Sequence, residues 1–452
     1  MAGILIALVV TIWVGYLIFH RYKPQAVLML GGLLLMACAI LMGKAILPAK
    51  ATTGFVWFDM FEFIKNTLSS RAAGLGMMIM SVAGFARYMD HIGASKVLVN
   101  LTVRPLAKLR SPYVVLSAGY VLGQVLALFI PSASGEGVLL MVTMYPILVS
   151  LGVSPLAATA MIGTTQSLDL GPGSGNSVLA AHNSGMDIAT YFVKGQVPVA
   201  LCVIFTVAVL HFFVQKWFDQ RSGHIVKTAE VAAMGADANL PPAIYALLPI
   251  IPLVLILGFS SLMIKTIKMD VITAMLISTF ISMIFEYIRH RNAKEVLSSL
   301  QVFFDGMGVQ FATVITLIVA GETFAEGLKD IGAIEAIIKS AQATGLGGSA
   351  MTIVMTGIIA VAAVVMGSGN APFFAFAALA PAVAKKMALE PITMLLPMQF
   401  ASSIARSVSP ITAVIVAVSG IANVSPFDVV KRTAIPMAGA MLANIIGSFL
   451  LL

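Results

Sequence analysis

Each half of the chain has two places where small and polar residues interrupt an apolar stretch, and chemistry could be done at these breaks. In the first half they are 131–137, Pro-Ser-Ala-Ser-Gly-Glu-Gly, and 169–176, Asp-Leu-Gly-Pro-Gly-Ser-Gly-Asn. In the second half they are 367–372, Gly-Ser-Gly-Asn-Ala-Pro, and 406–410, Arg-Ser-Val-Ser-Pro. Ser132, Ser134, Ser174, Asn176, Ser368, Asn370, Ser407, Ser409 and Thr412 bring hydroxyl and amide groups to these breaks. They are expected to contact a small substrate or a cation. Gly369 stands among them, although its commoner part, like that of Gly171, Gly173 and Gly367, is to free the backbone. Arg406 is the sharpest single candidate, because a charge in an apolar segment is costly unless it faces a cavity or a partner. Its planar fork can hold a carboxylate through two hydrogen bonds. Asp169 and Glu136 could bind a coupling cation such as Na⁺ or carry a proton, the usual work of intramembrane carboxylates. Plainer readings stand beside these: helix capping for the serines, an ion pair with Asp169 for Arg406, and a solvated tip for Glu136.

Other chemistries find little support. The six histidines and two cysteines show no metal-ligand spacing, so no metal site is expected, and Cys38 and Cys202 lie in apolar stretches as ordinary free thiols. Gly171-x-Gly173-x-Gly175 follows no strand and opens no βαβ unit, which removes a dinucleotide loop. No nucleophile–base pair occurs at helical spacing, so an enzyme is not expected, and neither is a resident cofactor. An ion channel would need a continuous pore.

The elements that position these breaks belong to a membrane. Of 452 residues, 59% are hydrophobic and only 10% charged. Apolar runs near the ~20 residues that cross a bilayer recur at 4–19, 26–41, 113–130, 197–213, 244–262, 271–288, 311–323 and 353–366. The first run lacks a basic start and leads into another, so it reads as a retained helix. The net charge of +8 gathers in short loops at Arg21 and Lys23, Arg104 to Arg110, Lys216 to Lys227, Arg289 to Lys294, and Lys431 with Arg432. That is a positive-inside pattern rather than a nucleic-acid surface. It puts both termini outside and the 215–240 linker in the cytoplasm, with Lys265, Lys268, Lys385 and Lys386 as counter-evidence. Arg71, Arg87, Asp90, His91, Glu322 and Glu326 fall near span ends, where snorkelling or interfacial pairing is expected.

The breaks also recur. A shift of about 236 positions lays Ser132 on Ser368, Ser134 on Asn370 and Pro155 on Pro391, and similar shifts align 84–94 with 321–333 and Val193-Lys194 with Val430-Lys431. The expected organisation is an all-α polytopic protein with scaffold helices at 1–69, one repeat at 70–214, a linker and further scaffold helices at 215–304, and a second repeat at 305–452. The topology requires a re-entrant hairpin at 112–150 and an oppositely oriented one at 349–388. Each is followed by a crossing that unwinds midway, at 155–185 and 391–421. Irregular backbone survives in hydrocarbon only where it lines a wet or protein-filled cavity. Inverted repeats with such pairs build a transporter site near the midplane.

The residues 367–373, 407–412 and 424–433, with the earlier stretches 74–80 and 132–135, resemble the anaerobic C4-dicarboxylate carriers of the DcuC/DcuD type nearly end to end. The chain departs from that pattern at Glu136 and at 169–176. The resemblance implies an ion-transporter-superfamily fold in the bacterial inner membrane. It also implies a homodimer with a scaffold and a moving transport domain, carrying succinate, fumarate or malate by elevator-like alternating access. Another carboxylated metabolite or an amino acid is the alternative cargo. Lipid is the other expected partner; nucleic acid is not.

Overall fold

The computed structural model describes residues 2–20, 22–109, 111–223, 240–264, 266–333 and 347–452. Arg21, Arg110, Lys227 and Lys265 of the basic clusters lie outside the described residues, as does most of the central linker. Among the described residues all regular structure is helical, the arrangement that lets a segment satisfy its own backbone groups in lipid.

The chain opens with α1 (Ala2–Phe19) and α2 (Pro24–Leu41), then the long α3 (Val56–His91) and the shorter α4 (Ala94–Val103). Next come α5 (Pro112–Leu126), α6 (Ala133–Ser150), α7 (Pro155–Ile162), α8 (Gly175–Asn183) and the long α9 (Ile188–Arg221). Central helices α10 (Ala243–Gly258) and α11 (Val271–His290) lead to a third long helix, α12 (Ala293–Asp330). The rest is α13 (Gly348–Met366), α14 (Asn370–Phe376), α15 (Ala380–Lys386), α16 (Pro391–Arg406), α17 (Ala413–Ala422) and α18 (Pro426–Leu451). Among the described residues, 8 helices are long and apolar enough to cross a membrane: α2, α3, α6, α9, α11, α12, α13 and α18. Their outer faces stay apolar, with Leu30, Phe58, Phe205 and Leu297 exposed.

Positions 69/70, 214/215 and 304/305, where composition marks domain edges, all fall inside continuous helices. In each long helix a π-helical turn (Ala72–Gly76, Tyr191–Gln196 or Phe311–Ile315) absorbs the irregularity without ending the helix. Small residues bring these helices close: a Cβ on Gly306 of α12 would lie 2.9 Å from Gly84 Cα of α3. Arg71, beside the π turn of α3, pairs with Glu322 of α12 at 2.8 Å.

The irregular segments are where the polar clusters predict them, with two differences. The helix that starts at Pro155 ends by Gly163, well before the expected break at 169–176. Thr164 and Thr165 turn their hydroxyls back onto the carbonyls of Met161 and Ile162 at 2.7 and 2.9 Å, giving those carbonyls partners other than the next helical turn. The return arm after 367–369 is not one helix but two, α14 and α15, separated at 377–379. Pro381 in the first turn of α15 lacks the N–H that a continuous helix would need. The second crossing breaks between Arg406 and Ala413, as expected.

Candidate functional site

The breaks converge on one cavity of about 490 Å³. Ser132, Ser134, Ser174, Asn176, Ser368, Gly369, Asn370, Arg406 and Thr412 all line it, with Asp169 among them. Helices α6, α8 and α17 begin at its wall, at Ala133, Gly175 and Ala413, and the short α14 starts there too, at Asn370. Helix N-termini carry partial positive charge and free N–H groups, so this wall favours an anion.

Capping explains part of the serine content. Ser132 Oγ accepts from Gly135 N at 3.2 Å and Ser174 Oγ from Ser177 N at 3.4 Å, so both are N-caps as well as cavity-lining residues. Thr412 Oγ1 donates to Arg406 O at 2.7 Å and closes the end of α16.

Arg406 sits at the C-terminus of α16, 8% exposed. Its Nη2 donates to Asp169 Oδ1 at 3.0 Å and to the backbone oxygen of Gln166 at 2.9 Å. The other Asp169 oxygen, Oδ2, accepts from Asn176 Nδ2 at 2.6 Å and from Ser403 Oγ. Asn176 Nδ2 also donates to Asn370 Oδ1 at 3.2 Å, which ties the first broken crossing to the tip at 367–370, while Asn176 Oδ1 has no protein partner. One guanidinium nitrogen is thus committed to Asp169, and the rest of the fork borders the cavity. Gly369 is required where it stands: a Cβ there would lie 2.6 Å from Ser402 O and 3.1 Å from Arg406 Cδ. Gly367, at φ +63, ends α13 in the left-handed region that favours glycine.

Two glutamine side chains that the sequence reading passed over hold the unwound backbone at 169–171. Gln399 Nε2 donates to Asp169 O at 2.7 Å, while its Oε1 accepts from Tyr191 OH at 2.7 Å. Gln196 Oε1 accepts from Gly171 N at 3.0 Å, and its Nε2 donates to Ser177 Oγ at 2.9 Å. Their signal was an uncharged polar residue within an apolar helix, which needs a partner as much as a charge does. Arg87, Asp90 and Gln310 also reach the cavity wall. They were expected at span ends or not singled out, because distance along a helix does not say which face borders a cavity.

Three expected site residues do not line the cavity. Ser407 is buried, donating to Ser403 O at 3.3 Å and accepting at its carbonyl from Thr433 Oγ1 of α18 at 2.9 Å. Ser409 is fully buried with no partner at its hydroxyl. Both occupy the turn after Arg406, which packs into the protein rather than facing the cavity. Glu136 is not a solvated tip: it is 0% exposed, with Oε2 accepting from Gln166 Nε2 at 2.6 Å. In the first turn of α6 it falls on the inner face, while Ser132 and Ser134 face outward. Among the described residues no group of three or more His, Cys, Asp or Glu could hold a metal.

A family model of C4-dicarboxylate anaerobic carriers, DcuC, matches residues 2–452. The chain belongs to the DcuC family. It is therefore a transporter rather than an enzyme, and a multi-pass inner-membrane protein. A protein of Vibrio cholerae named probable anaerobic C4-dicarboxylate transporter DcuC is 38% identical over 453 residues, covering 100% of this chain and 98% of the relative. The anaerobic C4-dicarboxylate transporter DcuC of Escherichia coli K12 is 38% identical over 449 residues, covering 99% and 96%. Among solved structures, the fold is similar to the YdaH transporter of Alcanivorax borkumensis, with TM-score 0.58, 17% identity, and 95% of this chain and 98% of that one covered. It is also similar to Neisseria gonorrhoeae MtrF, from a class of antimetabolite efflux pumps, with TM-score 0.59, 13% identity and 94% of each chain covered.

Proposed function

We infer that the protein carries C4-dicarboxylates such as succinate, fumarate or malate across the inner membrane by secondary transport. The observation that carries this is a cavity where Arg406 meets the N-termini of several half-helices. A dianion there finds one fork for a carboxylate and N–H-rich walls for the rest, without a full set of compensating cations. The names of the full-length relatives support the same cargo.

The cargo site is proposed to comprise Arg406, Ser132, Ser134, Ser174, Asn176, Ser368, Gly369, Asn370 and Thr412, with Asp169 holding Arg406 in place. Segments 112–150 and 349–388 act as re-entrant hairpins of two inverted repeats. The matching order of elements supports this: a helix with a π turn, a broken hairpin, an unwound crossing and a long helix occur on each side of α10 and α11. In this reading the two repeats move as an elevator against the remaining helices, within a homodimer.

Uptake of labelled succinate into proteoliposomes preloaded with unlabelled fumarate tests the cargo. Saturable counterflow that Arg406→Ala abolishes is the expected result. Counterflow supported by amino acids and not by diacids would replace the cargo with another carboxylated metabolite. Crosslinks that lock α14 to α2 test the motion, since transport that survives locking would remove the elevator.

A further inference from the structure

Glu136, close behind the cavity wall, has no task in the cargo reading. It lies behind the first tip, 0% exposed, between α5 and the unwound stretch of the first crossing. A Cβ on Gly123 of α5 would stand 3.5 Å from Glu136 Oε1. Gln166 Nε2 donates to Oε2 at 2.6 Å, the Thr165 side chain adjoins the carboxylate, and among the described residues Oε1 has no well-formed hydrogen bond. Charge on a buried carboxylate is costly, so a group with this few donors is suited to exchanging a proton. Oε1 is therefore a vacant proton acceptor in a water-excluded position.

We propose that Glu136 is the proton-binding site that couples a proton to the dianion, with Gln166 as the link between proton and cargo. Gln166 faces both ways: its side chain holds Glu136, and its backbone oxygen accepts from Arg406. Among the described residues, Arg406 of α16 is the charged group that acts on Glu136, with Asp169 on its far side. α5 contributes Gln124 and Tyr120, which bond to Ser167 and each other. α17 contributes the apolar Val414 and Val418, packed near Gly137.

The charge balance sets the direction. With Glu136 ionised, two carboxylates share one guanidinium and the site is net negative before cargo arrives. With a proton on Oε1, Arg406 and Asp169 cancel, and an incoming dianion meets no uncompensated negative charge. Dianion binding therefore favours proton binding, and by linkage the proton favours the dianion to the same extent. Cargo and proton cross together, and the proton leaves Oε1 when the cargo leaves.

The proposal rests on the dicarboxylate reading, and the test separates the two. Labelled succinate accumulation is measured in proteoliposomes at clamped zero membrane potential, with an inward proton gradient varied, alongside succinate–fumarate counterflow. For one proton per dianion, the wild-type accumulation ratio rises about tenfold per unit of pH gradient. In Glu136→Gln, which keeps the shape and removes the titrating oxygen, accumulation is expected to be flat against the gradient. As a measurement independent of turnover, succinate titration calorimetry in buffers of different ionisation heat should show proton uptake on binding in the wild type and none in Glu136→Gln. A variant that still accumulates succinate in proportion to the pH gradient, or still takes up the proton, overturns the assignment. Wild-type counterflow with no gradient dependence, or with dependence on a Na⁺ gradient instead, overturns the proton while leaving the cargo. No counterflow of any diacid overturns the cargo reading itself.

Discussion

Two buried arginine–aspartate pairs tie the first half of the chain to the second, and they differ in what surrounds them. Arg432 of α18 meets Asp219 of α9 with side chains 6% and 1% exposed. Asp219 is saturated there: Ser154 Oγ donates to Oδ1 at 2.6 Å and Tyr113 OH to Oδ2 at 3.1 Å, and the guanidinium lies 5.3 Å from the Phe218 ring centroid. Arg406 and Asp169 are almost as buried, at 9% and 11%, yet they border a cavity of about 490 Å³. The carboxylate of that pair is saturated by Asn176 and Ser403 as well, and Arg432 too borders a pocket, a smaller one of about 250 Å³ that it shares with Arg221, Asp428 and Lys431. The same two residue types thus stand beside a small, largely cationic pocket in one place and beside the larger cavity where the polar breaks converge in the other. Burial and pairing cannot tell them apart; the hydroxyl and amide groups of the breaks that gather around Arg406 can.

Mutations sharpen that contrast. The largest effect on transport is expected from Arg406→Ala, which should reduce succinate counterflow to the level of empty liposomes while shifting the thermal melt in detergent only modestly. An Arg406→Ala protein that still carries succinate would make the two pairs equivalent. The largest effect on stability is expected from Arg432→Ala, because it strands Asp219 as a buried, uncompensated charge at a cost of about 3–5 kcal/mol. Purified yield and melting temperature should fall, and the double variant Arg432→Met with Asp219→Leu should recover much of the loss. A smaller effect follows from Gly369→Ala: its Cβ would press on Ser402 O and Arg406 Cδ, a strain of about 1–3 kcal/mol. Since the arginine must shift, the KM for succinate should rise more than maximal rate falls. Smallest is Ser132→Ala, which removes one N-cap worth about 1 kcal/mol and should leave a measurable but minor change in KM.

A good deal of this was legible beforehand, for identifiable reasons. Unwound backbone in lipid demands glycine, serine and proline at its breaks, so 131–137, 169–176, 367–372 and 406–410 stood out against apolar surroundings. Arg406 was visible because an arginine is rare in such a run, and a pairing with Asp169, suggested by their matching positions, was the plainer alternative to substrate contact. Ser407 and Ser409 were misplaced because a polar residue at a break can turn inward as readily as outward, and composition does not encode that choice. The early helix end at Gly163 was hidden in Thr164 and Thr165, whose hydroxyls compete for helix carbonyls only when the local packing permits it. Arg87 and Asp90 were assigned to an interface because they fall near the end of a predicted span, although the helix turns their face toward the cavity.

The amino-acid order alone was enough to dictate a membrane-spanning helical protein with paired irregular segments and one costly arginine among them. Hydrophobic run length and the expense of unpaired backbone in hydrocarbon are properties of local chain chemistry, readable without a partner. Which oxygens saturate Asp169, which edge of Arg406 stays open, and which face of α6 takes Glu136 inside depend on atoms far apart in the chain. Asp169 and Arg406, 237 positions apart, meet only after the helices have packed. Glu136 shows the difference most clearly: its position at a polar tip pointed outward to water, and the packing of α5, α6 and the first unwound crossing placed it inside, with few donors.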